Sequence, residues 1–133
     1  MMKRRHRERE IAARDIANWD EVRKYIATQF DKMVALYRRQ YGHLFTTTWW
    51  YESEWCPCCG RRPVGLWANP EGQTALSLNG WIYRERQVLI GYLLCRRCVE
   101  DLTRASPAQE ITMHRQIEGR LRAAYQQALG AGS

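Results

Sequence analysis

A chain of 133 residues with 45% apolar content can bury one core but is too short for two full-sized domains. Its formal charge of +7 rests on 21 basic residues, 18 of them arginine, against 14 acidic ones, a balance suited to anionic partners. No apolar run approaches the roughly 18 residues of a membrane span, and from the charged start, Met1 to Glu10, no secretory signal is expected; a cytoplasmic protein with no membrane contact is expected, in which cysteines stay reduced or bind metal.

The basic excess is uneven. Residues 1–45 hold 11 basic and 6 acidic residues, residues 46–105 hold 7 and 6, and residues 106–133 hold 3 and 2. Residues 1–10 read as a flexible basic arm. From 11 to 42 the chain reads as helical, with Ile16, Trp19, Val22, Ile26, Phe30, Met33, Tyr37 and Tyr41 three or four apart on one face. Asn18 with Glu21 has the form of a capping box, and Gly42 stands where a helix would stop.

Residues 46–104 read as a β module. Thr46–Tyr51 is β-branched and aromatic, and Val64–Trp67 is a second short strand. Asn69-Pro70-Glu71-Gly72 is turn chemistry. Thr74–Leu78 and Trp81–Tyr83 flank Asn79-Gly80, which predicts a type I′ hairpin turn at that dipeptide. A strand from Gln87 to Leu94 then runs into Cys95, and a short helix is expected over 96–104. The last helix, 106–129, opens with Ser106 as N-cap, Pro107 at the first helical position and Gln109 as reciprocal partner. The whole chain reads as one α+β domain. A long N-terminal helix, a zinc-bound β-hairpin module and a C-terminal helix packed on the first are its expected parts.

The chemistry is concentrated in Cys56-Pro57-Cys58-Cys59-Gly60 and Cys95-Arg96-Arg97-Cys98. Two residues between cysteines let both thiolates point to one side of a tight turn, and two such pairs make a Cys₄ site for one structural zinc. Cys56, Cys59, Cys95 and Cys98 are the expected ligands, because Gly60 after Cys59 lets the backbone fold back toward the sulfurs. Cys58 then points away. An iron–sulfur cluster takes the same ligand set and is the alternative metal.

This spacing, with a hairpin between the pairs and a helix after the second, resembles a treble-clef zinc finger over residues 55–104; a zinc ribbon is the runner-up. The resemblance implies a zinc-bound hairpin module and names no single protein. Some treble-clef proteins are HNH-type nucleases, and those need a histidine base and further metal ligands. Here His6, His43 and His114 all fall outside residues 55–104, and Val99 stands where such families often carry histidine. A non-enzymatic binding role is therefore expected, and a degenerate nuclease is the least favoured reading.

Two kinds of partner suit it. Nucleic acid, or a nucleoprotein complex, would meet Lys3, Arg4, Arg5, Arg7 and Arg9 together with Arg61, Arg62, Arg96 and Arg97, while Trp50, Trp55 or Trp67 stack on bases. A protein partner would instead use the helices and surplus aromatics, as in an adaptor or an inhibitor of a nucleoprotein complex. Homodimerisation through the first helix is a third option.

Overall fold

The computed structural model describes residues 11–12, 19–68 and 74–131. The first long helix, α1, spans Trp19–Tyr41, with Asp20 and Glu21 in its first turn and Arg38 and Arg39 in its last. That polarity complements the helix dipole at both ends. Asn18 lies outside the described residues, as does the 69–72 turn. Ile11–Ala12, expected to be helical, form instead a short strand, β1, antiparallel to β3 (Gly65–Ala68). Pairing with β3 satisfies backbone groups that a sheet edge would otherwise leave open. On its other side β3 pairs with β4 (Thr74–Ala75).

The larger sheet has the order β2-β6-β5, from Thr47–Trp50, Val88–Leu94 and Ser77–Tyr83. β6 is central, parallel to β2 and antiparallel to β5. All seven of its residues are buried. A strand covered on both faces reads as a continuous apolar run, and VLIGYLL is such a run.

The hairpin turn is not at Asn79-Gly80. β5 runs straight through that dipeptide, with Gly80 opposite Gly91 and Asn79 donating to the Ser77 hydroxyl at 2.8 Å. The chain reverses instead over a single 3₁₀ turn, Arg84–Arg86, followed by Gln87 in the left-handed region at φ 53°. Gly80 and Gly91 serve helix packing. A Cβ at Gly91 would run into the Phe30 ring and the Trp50 indole, and one at Gly80 would lie 2.9 Å from Met33 Cε. The two glycines form a shallow seat for α1 on this face.

Side chains alternate across the sheet, so the opposite face carries Trp49, Trp81 and Tyr83. There α3 (Pro107–Ala131) packs, with Ile117 and Leu121 fully buried and Tyr125 edge-on to Trp49 at 5.2 Å and to Tyr83 at 6.2 Å. The α+β class holds, but the two long helices meet opposite faces of the sheet instead of packing on each other. A sheet with two apolar faces needs cover on both. The short helix α2 (Arg96–Arg104) connects β6 to α3. The α3 capping box forms as read: Gln109 N–H donates to Ser106 Oγ at 3.2 Å, and Ser106 N–H donates to Gln109 Oε1 at 2.9 Å.

Candidate metal centre

The knuckle from Trp55 to Pro63 closes on itself. Trp55 and Pro63 are bridge partners, Cys56 N–H donates to the Arg62 carbonyl at 2.9 Å, and Gly60 N–H donates to the Cys56 carbonyl at 2.8 Å. Gly60 sits at φ 71°, a left-handed conformation that side chains resist. The second pair is placed by β6, whose end delivers Cys95 to the N-cap of α2, with Cys98 in the first turn. Cys98 N–H points at Cys95 Sγ at 3.5 Å, and Cys58 N–H points at Cys56 Sγ at 3.4 Å. Backbone amides and a helix N-terminus therefore face the sulfurs, which favours thiolates.

The four sulfurs of Cys56, Cys59, Cys95 and Cys98 all lie within 4.8 Å of one another, and Cys59 and Cys95 are 4.0 Å apart. A tetrahedral zinc with Zn–S bonds of about 2.3 Å sets sulfurs about 3.8 Å apart. The donor set and its spacing are consistent with one zinc ion. Cys58 is buried, as Cys56, Cys95 and Cys98 are, but it is outside the set of four.

The thiols polarise one another. A hydrogen bond from the Cys95 thiol pulls Cys56 down to about 5 against the opposing effect of burial, with the amides of Cys95, Cys59 and Cys58 assisting. Giving that hydrogen bond raises Cys95, and burial adds to it. Burial first, and then the negative charge on Cys56, raise Cys98. Burial raises Cys58 as well. Cys56 is thus the one thiol favoured as a thiolate, and holding all four ligands as thiolates in so small a volume would need a cation among them, the charge a divalent metal supplies.

One residue of the site was not visible in the sequence. Arg120, on α3, donates to the Pro57 carbonyl at 2.9 Å and also to the Cys58 carbonyl. Its guanidinium lies where a Cβ on Gly60 would fall, 2.8 Å away. The knuckle is thus clamped to the C-terminal helix by a side chain more than sixty positions further along. Arg120 sits between Ile117 and Leu121 at the margin of a helical apolar stripe, a weak signal that becomes meaningful only when the partner carbonyls are known.

The expected contact residues divide. Lys3, Arg4, Arg5, Arg7 and Arg9 lie outside the described residues. Arg61 and Arg62 are exposed on the knuckle. Arg96 and Arg97 pair within α2, with Glu100 at 2.9 Å and Asp101 at 3.6 Å. Trp50 is half-buried and edge-on to Phe30 at 5.3 Å, so it serves the core; Trp67 is half-buried too. Trp55 is 44% exposed. Among the described residues no helix is long and apolar enough to cross a membrane. No protein family, curated protein sequence or solved structure matches the chain.

Proposed function

We propose that this chain is a non-catalytic binding protein, held together by one structural zinc at Cys56, Cys59, Cys95 and Cys98, that contacts nucleic acid or a nucleoprotein complex. The observation that carries the reading is a division of labour among arginines. Arg39, Arg61, Arg62, Arg84 and Arg86 are exposed with no carboxylate partner among the described residues, so the fold leaves cationic groups open to phosphate. The knuckle, hairpin and helix-borne second pair occur in treble-clef order, which supports a scaffold role for the metal. Four thiolate ligands leave no open coordination position for substrate or water. His43 is exposed in the loop after α1, and His114 is exposed 3.8 Å from Glu110 on α3, so neither is placed as a base beside the metal.

A protein partner is the second reading, and a specific feature favours it. A cleft of about 570 Å³ runs beside the knuckle, lined by Trp19, Ile26, Phe30, Trp50, Trp55 and Leu93 among others. Aromatic clefts of this kind anchor side chains of a partner.

Native mass spectrometry with and without added oligonucleotide separates the two. The proposal expects one zinc per chain and a nucleic-acid adduct that dissolves as salt rises, because counterion release makes phosphate binding salt-dependent. One zinc without an adduct moves the choice to the protein partner. Absence of bound metal after purification in zinc overturns the metal assignment itself.

A further inference from the structure

We infer that the end of the molecule opposite the metal centre is a docking surface for the phosphate backbone of nucleic acid, built from Arg38, Arg39, Arg84 and Arg86. This inference rests on the nucleic-acid reading above and names the surface that would carry it.

The fold brings these residues together from two distant segments. Along α1, Ile26 lies beside Leu93 in the lining of one cleft, Phe30 covers Gly91, and Met33 covers Gly80. Tyr37 then donates to the Gly80 carbonyl at 3.4 Å. The helix therefore passes from Leu93 and Gly91 of β6 across to Gly80 of β5, and the loop that follows it carries the chain to the β5–β6 reversal. The loop after it is fastened there. Leu44 N–H donates to the Tyr41 carbonyl at 2.9 Å, Phe45 is buried, and Thr46 N–H donates to the Gln87 carbonyl at 2.8 Å. Arg38 lies over the Phe45 ring at 5.1 Å, which places its guanidinium beside this loop. Arg84 and Arg86 stand on the 3₁₀ turn immediately before Gln87.

All four arginines are exposed, and none has an ion pair among the described residues. Residues 38–46 and 84–87 contain one acidic side chain, Glu85, against the four arginines. The helix dipole gives a structural reason for Arg38 and Arg39 at the C-terminus of α1. It gives none for Arg84 and Arg86, which belong to a three-residue turn. An isolated cluster of like charges raises the energy of the free protein, and an anion that binds several of them at once relieves it. Arginine suits phosphate in particular, since its planar fork bonds two oxygens together. Tyr41 is 43% exposed at the same end and offers a ring to an unpaired base.

The test uses the full-length, zinc-loaded protein and fluorescence anisotropy with labelled duplex DNA, single-stranded DNA and single-stranded RNA, each over a salt series. The triple variant Arg39→Gln, Arg84→Gln, Arg86→Gln spares Arg38 and its contact with Phe45. Each lost phosphate contact lowers the slope of log affinity against log salt by about 0.7–0.9, so a loss of about 2–3 is expected, with affinity falling at least about tenfold near 0.1 M salt. The matching Lys variant at the three positions keeps most of the slope, because it keeps the charge. Arg96→Gln with Arg97→Gln, whose arginines are paired in α2, changes affinity less than about twofold. Zinc content and circular dichroism confirm that each variant is folded. If the triple variant binds as the wild type does, and the loss follows Gln substitutions at Lys3, Arg4, Arg5, Arg7 and Arg9, this surface is overturned while the nucleic-acid reading stands. If the wild type binds none of the three probes, both fall together.

Discussion

The two ends of β6 are built on opposite principles. At one end the strand runs into Cys95, and the chain is held by four sulfurs, a helix N-terminus and the Arg120 clamp. At the other it begins after a 3₁₀ turn with no metal ligand and no buried polar group, held by backbone hydrogen bonds to Gln87. Arginines crowd both ends, and their employment differs. Near the cysteine cluster, Arg96 and Arg97 are matched by Glu100 and Asp101 and Arg120 is spent on knuckle carbonyls, which leaves Arg61 and Arg62 as the exposed pair on the knuckle. Near the turn the arginines have one acidic neighbour in sequence and no ion pair among the described residues. Residue type alone does not say whether a charge is structural or available; its partner does.

The comparison breaks most visibly if the metal end stands without its ligands. Cys95→Ser should abolish the one-zinc mass by native mass spectrometry and unfold the knuckle and α2, since structural zinc contributes about 10–16 kcal/mol of binding free energy. Retention of both would mean that the cysteines are ordinary core residues. Arg120→Gln should weaken zinc binding about tenfold in a chelator competition, the usual cost of losing a group that supports the ligands. An unchanged affinity would reduce the clamp to a surface contact.

Smaller effects come from the two left-handed residues, one at each end. Gly60→Ala should destabilise by about 1–2 kcal/mol in denaturant unfolding, because φ 71° disfavours a Cβ and the Arg120 guanidinium occupies its place. Gln87→Gly should do the reverse and stabilise by up to about 1 kcal/mol, since a non-glycine residue is held there at φ 53°. Equal signs at the two positions would contradict the contrast. Cys58→Ser should leave one zinc per chain, the smallest effect of the set, and loss of the metal would instead place Cys58 among the ligands.

Much of this was legible in the sequence because it depends on near neighbours. The Cys-x-x-Cys pairs, the Ser106–Gln109 box and the α1 stripe are local patterns; the first two appear where expected, and the stripe faces inward from Trp19 to Tyr37, while Tyr41 is exposed and Ile16 lies outside the described residues. What failed depended on distant partners. Asn79-Gly80 has the composition of a turn, but Gly80 is small because Met33 lies against it, more than forty positions earlier. The real reversal at Arg84–Gln87 contains neither glycine nor proline, so it carried no turn signal. The apolar stripes on α1 and α3 were equally compatible with packing on each other and with packing on a sheet. Apolar character specifies burial and leaves the covering surface open. Arg120 was missed for the same reason, since its role exists only once the knuckle carbonyls are beside it.

One feature of the metal centre reaches beyond the site itself. Cys59 and Cys95 bracket 35 intervening residues that include β3, β4, β5 and all of β6. A metal bridging them acts as a reversible cross-link around that segment. Closing a loop of this length removes about 4 kcal/mol of chain entropy from the unfolded ensemble, on the same reasoning as for a disulfide. Unlike a disulfide, this tie survives reducing conditions and opens to acid or a chelator. With an ion bound there, the stability of the central strand would be tied to the chemical availability of that single ion.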